Sequence, residues 1–313
     1  MKLLEILMAA YNSEHFIGEQ IESILNQTYK DWILIIRDDG SSDSTWEIAQ
    51  KYALQYPNRI KLIKGENSGS AANNFFMLLN QANSDYVMFC DNDDVWLPDK
   101  IRKTMDKMCE MERRLGKDKP ILVHTDLSIV DAHLNVIADS FFSYQKLNPS
   151  CNELNHLLVQ NIVTGCTMMV NRSLVKKALP QPKYSVMHDW WLALVAAAFG
   201  EIGYVNEATI LYRQHNSNVV GAKRSGSLKY AVKRLTDLDK LKREIKALFL
   251  QASEFLVRYR GNMSLSTISM LEDFVSVPTL GLWDRFRIFN RYHIWKTGFI
   301  RKIGQLMLSK NYI

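Results

Sequence analysis

Three carboxylates fall within four residues at Asp91-Asn92-Asp93-Asp94. Such a set repels itself, and folding it onto one loop is costly without a cation. A hard divalent ion, Mg²⁺ or Mn²⁺, relieves that repulsion, is satisfied by oxygen ligands and bridges to substrate phosphates. The competing reading is a solvated polar loop with one helix cap. A second acidic stretch, Asp38-Asp39-Gly40-Ser41-Ser42-Asp43, ends another apolar run. A carboxylate there can accept from a base imide N–H or a ribose hydroxyl, whereas Ser42 or Asp43 suits a helix N-cap. Tyr11, just past the first apolar run, is placed either to stack on a base or simply to pack.

These groups need elements to hold them. Leu3 to Ala9, Trp32 to Ile36, Ile60 to Ile63 and Tyr86 to Cys90 read as buried strands, and Glu14–Gln27, Thr45–Tyr56 and Ala71–Gln81 carry helical spacing between them. Alternating strands and helices argue for a mostly parallel sheet covered on both faces. Ligands bind such sheets beyond the carboxyl ends of the strands. The first, second and fourth strands end at Tyr11, at Asp38-Asp39 and at Asp91 to Asp94, so three polar strand ends point to one crevice. Beyond Pro98, the spacing predicts a charged helix over Lys100–Leu115, strands over 121–125, 128–130, 163–170 and 207–212, and an apolar helix over 190–199. His188-Asp189 stands just before that last helix, where Asp189 could cap it.

The order and spacing of several short motifs resemble the family 2 glycosyltransferases of the GT-A fold over roughly residues 1 to 220. The Ala-Tyr-Asn strand end, Asp-Asp-Gly-Ser-Ser-Asp and the Asp-x-Asp-Asp cluster carry the broad likeness. Residues 36–43, Asp94-Val95-Trp96-Leu97-Pro98, His124-Thr125-Asp126, His188-Asp189-Trp190-Trp191 and Leu211-Tyr212-Arg213-Gln214-His215 resemble the bacterial rhamnosyltransferase branch, which builds cell-wall and capsular polysaccharides.

The resemblance implies a role for each position. Ala9, Tyr11, Asp39, Asn67, Asn74, Asp91 and Arg213 would bind the nucleotide-sugar, with Tyr11 and Asp39 at the base and Arg213 at the diphosphate. Asp93, Asp91 and His215 would hold the divalent metal. Asp94 would stand behind them or cap the next helix, and Asn92 takes no ligand role. Asp189 would be the general base, with Thr164, Gly165, His188 and Trp190 on the acceptor side. The implied reaction is inverting transfer of a sugar, L-rhamnose from dTDP-rhamnose, to a hydroxyl of a glycan or polyprenyl-linked acceptor. Rival readings are a UDP-hexose-dependent enzyme of the same family and a non-catalytic sugar- or membrane-binding protein on this scaffold. A nucleotidyltransferase or phosphatase is disfavoured, because no phosphate-cradling Gly-rich loop or P-loop is present.

The whole chain sets the frame. Its 313 residues, 47% hydrophobic and 23% charged, suffice for a real core. A net charge of +6 suits a phosphorylated ligand or an anionic surface, and no nucleic-acid motif accompanies it. Cys90, Cys109, Cys151 and Cys166 have no metal-knuckle or redox-motif spacing, as expected of reduced thiols. With no signal-peptide pattern and no apolar run near the ~20 residues a spanning helix needs, the expected location is cytoplasmic, on the inner face of the plasma membrane. The expected division is a catalytic domain over 1–222 and a helical, basic extension over 223–313. From Trp283 onward seven Lys and Arg face one acid, Asp284, with aromatic and aliphatic residues interleaved. That segment reads either as a membrane-surface anchor or as helices with a solvated basic face.

Overall fold

The computed structural model describes residues 3–215 and 238–310. The chain forms two compact units, one of residues 1–144, 163–181 and 187–222, the other of 145–162, 182–186 and 223–313. The expected boundary after residue 222 lies outside the described residues. Two segments from within 1–222 thus belong to the second, helical unit.

In the first unit, nine strands among the described residues form one sheet: β1 (Leu4–Ala10), β2 (Trp32–Asp38), β3 (Ile60–Lys64), β4 (Tyr86–Cys90), β5 (Val95–Trp96), β6 (Ile121–Val130), β7 (Val136–Ala138), β8 (Met169–Asn171) and β9 (Glu201–Arg213). The order is β3-β2-β1-β4-β8-β6-β9-β5, with β7 beside β6. β3, β2, β1 and β4 are mutually parallel, as are β6 and β9, whereas β8 runs antiparallel to both β4 and β6. The first half reads as unbroken apolar runs because both faces are covered. Ile6, Met8, Leu34, Ile36 and Met88 are all fully buried.

Helices α1 (Ile17–Leu25), α2 (Thr45–Gln55), α3 (Ala71–Gln81) and α4 (Lys100–Leu115) connect or flank these strands. α1 buries Ile17, Ile21 and Ile24, and α4 buries Ile101, Met105, Met108 and Met111, in each case one stripe at helical spacing. α3 begins where Ser70 Oγ accepts the amide of Asn73 at 3.2 Å. α5 (Arg172–Ala178) and α6 (His188–Phe199) follow. Within α6, Trp191 to Ala196 are all buried, so the helix shows no polar face over that stretch.

Several local expectations change. Residues 121–130 make one strand, not two. The predicted strand over 163–170 is replaced by a 3₁₀ turn, Gly165–Thr167, and the short β8. The apolar run there is buried loop and turn, which periodicity alone does not separate from a buried strand. β9 starts at Glu201, six residues before the predicted start, because parallel pairing with β6 begins at Ile121–Glu201. Of the two residues suited to cap α2, Asp43 accepts from the Thr45 amide at 3.0 Å.

In the second unit, α7 (Leu238–Tyr259), α8 (Leu265–Ser276), α9 (Leu282–Arg291) and α10 (Phe299–Leu308) are the main helices. Their core centres on Phe249, Phe274 and Phe289, with Phe249 stacked on Phe274 at 4.9 Å.

Candidate active site

Strand register brings the polar strand ends together. Ala10 pairs with Asp38 across β1–β2, and Met8 with Cys90 across β1–β4. Tyr11, Asp39 and Asp91 therefore leave neighbouring parallel strands at the same edge. The antiparallel pair β5–β9 matches Val95 to Leu211, which carries Arg213 and His215 back to the acidic loop. The crevice lies at the carboxyl ends of the strands, where such sheets bind ligands.

The two adjacent aspartates at the end of β2 have separate tasks. Asp38 closes its own turn, accepting from the Ser41 amide at 3.1 Å and the Ser41 hydroxyl at 2.5 Å. Asp39 is held by Arg37 Nη1, by the Ser68 amide at 2.9 Å and by the Ser68 hydroxyl at 2.7 Å. Arg37 also donates to Asn74 Oδ1 at 2.8 Å and to the Glu66 carbonyl at 3.0 Å. Asp39 and Asn74 are thus joined through a buried guanidinium. Asn67 shapes the adjoining turn by accepting from the Gly69 amide at 2.8 Å, and Gly69 takes φ +84°. Tyr11 is exposed at the strand end, and the Ala9 carbonyl accepts from Asn92 Nδ2 at 3.1 Å.

The acidic loop is the electrostatic centre. Carboxylate oxygens of Asp91 and Asp94 and the Cys166 sulfur lie within 4.8 Å of one another. Burial, then the charges of Asp93 and Asp189, push Asp91 up to about 7. Burial, then the charges of Asp93 and Asp91, push Asp94 well above the usual carboxylate range. Asp94 Oδ1 accepts the Arg213 amide at 3.0 Å, whereas its Oδ2 has no hydrogen-bond partner. Lys100, on the first turn of α4, is fully buried with no hydrogen-bond partner on Nζ, 4.7 Å from the Trp96 ring. Burial lowers it to about 8, against the opposing pull of Cys166, Cys90 and Asp94.

Asp93 faces His215, whose Nε2 lies 2.9 Å from Asp93 Oδ2 while its ring stacks on Phe16 at 4.7 Å. Arg213 is buried. Its guanidinium is engaged with Glu19, with the Ala132 carbonyl at 2.6 Å and with the Asp93 carbonyl at 2.9 Å. These donors tie α1 to the acidic loop.

The loop fits a divalent cation. Asp91, Asp93 and Asp94 supply hard oxygen donors, and an orphaned buried carboxylate oxygen is the kind of group a cation satisfies. Cys166 fits less well, because burial and the carboxylates raise its thiol well above the ordinary value and keep it protonated.

Asp189 lies in the first turn of α6, where its carboxylate accepts the Trp190 amide. Burial pushes it up to about 7, against the opposing amides of Trp190 and Gly165. Its charge is felt at Asp91, so Asp189 and the acidic loop share one neighbourhood. His188 packs between Phe75 at 4.0 Å and Phe89 at 5.0 Å, with neither ring nitrogen hydrogen-bonded, and burial lowers it to about 3. Gly165 leaves room for this pair: a Cβ there would sit 2.9 Å from His188 Nε2 and 3.6 Å from Asp189 Cβ. The Thr164 carbonyl accepts from the Thr167 amide and hydroxyl, closing the 3₁₀ turn. Trp190 is half-buried beside Asp189.

The sequence reading missed Arg37, Ser68 and Lys100. A lone cation at the end of an apolar strand was a usable signal for Arg37. Lys100 gave none, because it opens a helix that is charged throughout. His124 and Asp126 belong to the packing. His124 is buried against Tyr204 at 5.0 Å, and Asp126 caps the Phe141 amide at 3.1 Å.

Comparison with known proteins agrees with this geometry. Residues 5–115 match the model of "Glycosyl transferase family 2". The chain is 30% identical over 230 residues to a dTDP-rhamnosyl transferase, RfbG, of Shigella flexneri, covering 71% of this chain and 76% of that protein. Among solved structures, S. aureus TarS 1–349 in complex with UDP-GlcNAc superposes with a TM-score of 0.57 at 16% identity, covering 88% of this chain and 72% of TarS. The mannosyltransferase PcManGT of Pyrobaculum calidifontis, in complex with GDP-Man and Mn²⁺, gives 0.51 at 15% identity, covering 98% and 85%. The sheet with its crevice of aspartates is the GT-A fold, and the chain belongs to the family 2 glycosyltransferases.

Proposed function

We propose that this glycosyltransferase moves L-rhamnose from dTDP-rhamnose, with inversion, onto a glycan or polyprenyl-linked acceptor in bacterial cell-surface polysaccharide synthesis. The observation that carries the reading is Asp189, a buried carboxylate raised to about 7 at the rim of the acidic crevice. A base poised near neutral pH is what deprotonation of a sugar hydroxyl requires. The rhamnosyl donor is favoured by the similarity to the Shigella flexneri enzyme and by the motifs of residues 36–43 and 211–215.

Asp39, fixed by Arg37 and Ser68, reads the base, with Tyr11 stacking on it and Ala9, Asn67 and Asn74 shaping the pocket. Asp91 and Asp93, with His215, would hold Mg²⁺ or Mn²⁺, which when bound would neutralise charge on the diphosphate. Arg213 adds positive charge behind them. The acceptor lies along Thr164, Gly165 and Trp190, and His188 backs Asp189 from beneath. Asp189 takes the proton of the acceptor hydroxyl as its oxygen bonds to the anomeric carbon. The bond from that carbon to the diphosphate oxygen breaks on the opposite face, and dTDP leaves with both electrons. The enzyme works peripherally at the inner face of the plasma membrane.

A second reading, transfer of a hexose from a UDP-sugar, is favoured by the likeness to TarS, which was crystallised with UDP-GlcNAc. Incubation of the purified protein with dTDP-rhamnose, UDP-glucose and GDP-mannose distinguishes them. The reading expects dTDP release, dependent on acceptor and divalent cation. Turnover of UDP-glucose alone would replace the donor, and unchanged turnover in Asp189→Ala would sink the mechanism.

A further inference from the structure

α10 is docked by its polar edge. Its inward residues are Gln305 and Ser309, 6% and 1% exposed. Gln305 accepts from the Lys296 amide at 2.9 Å and donates to the Ile294 carbonyl at 2.7 Å, and the Ser309 hydroxyl donates to the Gln305 carbonyl. The outward residues are apolar: Phe299 is 77% exposed, Ile300 69%, Ile303 48% and Met307 59%. Spacings of three and four residues put them on one stripe. An amphipathic helix normally buries that stripe, and here hydrogen bonds hold the other side. A contiguous exposed apolar face of this kind marks an interaction surface.

The neighbouring helix extends it. Trp283 and Phe286 of α9 are exposed and meet edge to face at 6.3 Å. Phe286 reaches the Trp295 ring at 6.0 Å, and Lys302 of α10 lies 6.0 Å from the same ring. Trp295 thus joins the aromatic edge of α9 to the basic edge of α10. Arg287, Lys302 and Lys310 are exposed around the stripe, while Asp284 is the only acid between residues 282 and 310 and lies 3.7 Å from Arg287. The basic rim decides the occupant. A second copy of this chain would bring like charge against like, whereas a surface of anionic phosphates complements it.

We propose that α9 and α10 lay this face on an anionic lipid surface, with Phe299, Ile300, Ile303 and Met307 entering the headgroup–acyl boundary and Lys302 and Lys310 meeting lipid phosphates. This deepens, and rests on, the peripheral location given under the proposed function. No helix among the described residues is long and apolar enough to cross a membrane, so the contact is made at the surface.

Vesicle flotation of the full chain tests it, with phosphatidylcholine alone and with phosphatidylglycerol added. The wild-type protein floats with the anionic vesicles, and Ile300→Glu/Ile303→Glu lowers the bound fraction at least ~10-fold while keeping its circular dichroism and melting temperature. Lys302→Glu/Lys310→Glu weakens binding to anionic vesicles. Transfer to a water-soluble acceptor is unchanged in both variants. Failure of the wild type to float, or undiminished flotation of Ile300→Glu/Ile303→Glu, overturns the proposal. So does a concentration-dependent dimer that Ile303→Glu dissociates without any vesicle binding, which would assign the face to a second copy. Flotation without transfer of any sugar would sink the proposed activity and leave this surface standing.

Discussion

The Arg37 guanidinium occupies the space where a side chain on Gly65 would begin. A Cβ built on Gly65 would overlap Nη2 and Cζ of Arg37 and come within 2.9 Å of Nε. The glycine at the end of β3 is therefore what lets Arg37 lie flat beneath Asp39 and grip it together with Asn74 and the Glu66 carbonyl. Without that grip the Asp39 carboxylate would be buried with less compensation.

Gly65→Ala should displace the guanidinium and loosen Asp39 while leaving Asp189 untouched. The expected result is a donor KM raised about 10-fold or more with kcat changed far less, as loss of one or two charge-assisted hydrogen bonds at about 1.5–3 kcal/mol each would give. Arg37→Gln should do the same. Steady-state kinetics with varied donor concentration measures the split, and an equal fall in kcat would place Arg37 in the chemical step instead.

Asp189 should govern the pH profile. Its pKa is raised to about 7, so the carboxylate is increasingly protonated as pH falls below that value. A general base must be ionised, and kcat/KM should accordingly rise with pH through about 7 and level off above it. Asp189→Asn should lose about 10²–10⁴-fold of the rate and the acidic limb with it. Rates measured from pH 5.5 to 9 check both, and an acidic limb surviving in the variant would assign it to another group.

His188 and His124 should make the fold acid-sensitive. Both are buried and lowered to about 3, while an unfolded chain binds their protons near 6.5. A depressed folded pKa means that the unfolded state takes up more protons as pH falls below about 6.5, and stability is lost by up to about 1.4 kcal/mol per pH unit for each histidine. His188→Phe, which keeps a ring between Phe75 and Phe89, should flatten the fall in urea midpoint between pH 7.5 and 5. An unchanged slope would mean that His188 takes up its proton within the fold.

The acidic loop should respond to divalent cations. Mn²⁺ with a dTDP-sugar should raise the melting temperature, because a ligand that binds only the folded state stabilises it by mass action. Asp93→Ala should abolish the metal-dependent part of the shift, and EDTA should abolish transfer in the wild type. A dTDP-sugar shift indifferent to EDTA would remove the metal from the mechanism.

The sequence by itself determined where the polar strand ends lie. Strand ends at Tyr11, Asp39 and Asp91 follow from short apolar runs alternating with helical segments, and parallel pairing brings their carboxyl ends to one edge. Ala71–Gln81, Tyr86–Cys90 and Lys100–Leu115 were legible to the residue, because Ser70, Pro98 and the polar flanks mark their ends with local chemistry. Tertiary structure alone decided the rest. Arg37 held to Asn74 and Arg213 tied to Glu19 join residues 37 and 194 positions apart in sequence, and no periodicity encodes such a pairing. The turn at Gly165 and the early start of β9 depended on which strand lay alongside. Burial gave Asp189 its raised pKa, a property of the low-dielectric surroundings that other segments build around a residue and not of the residue itself.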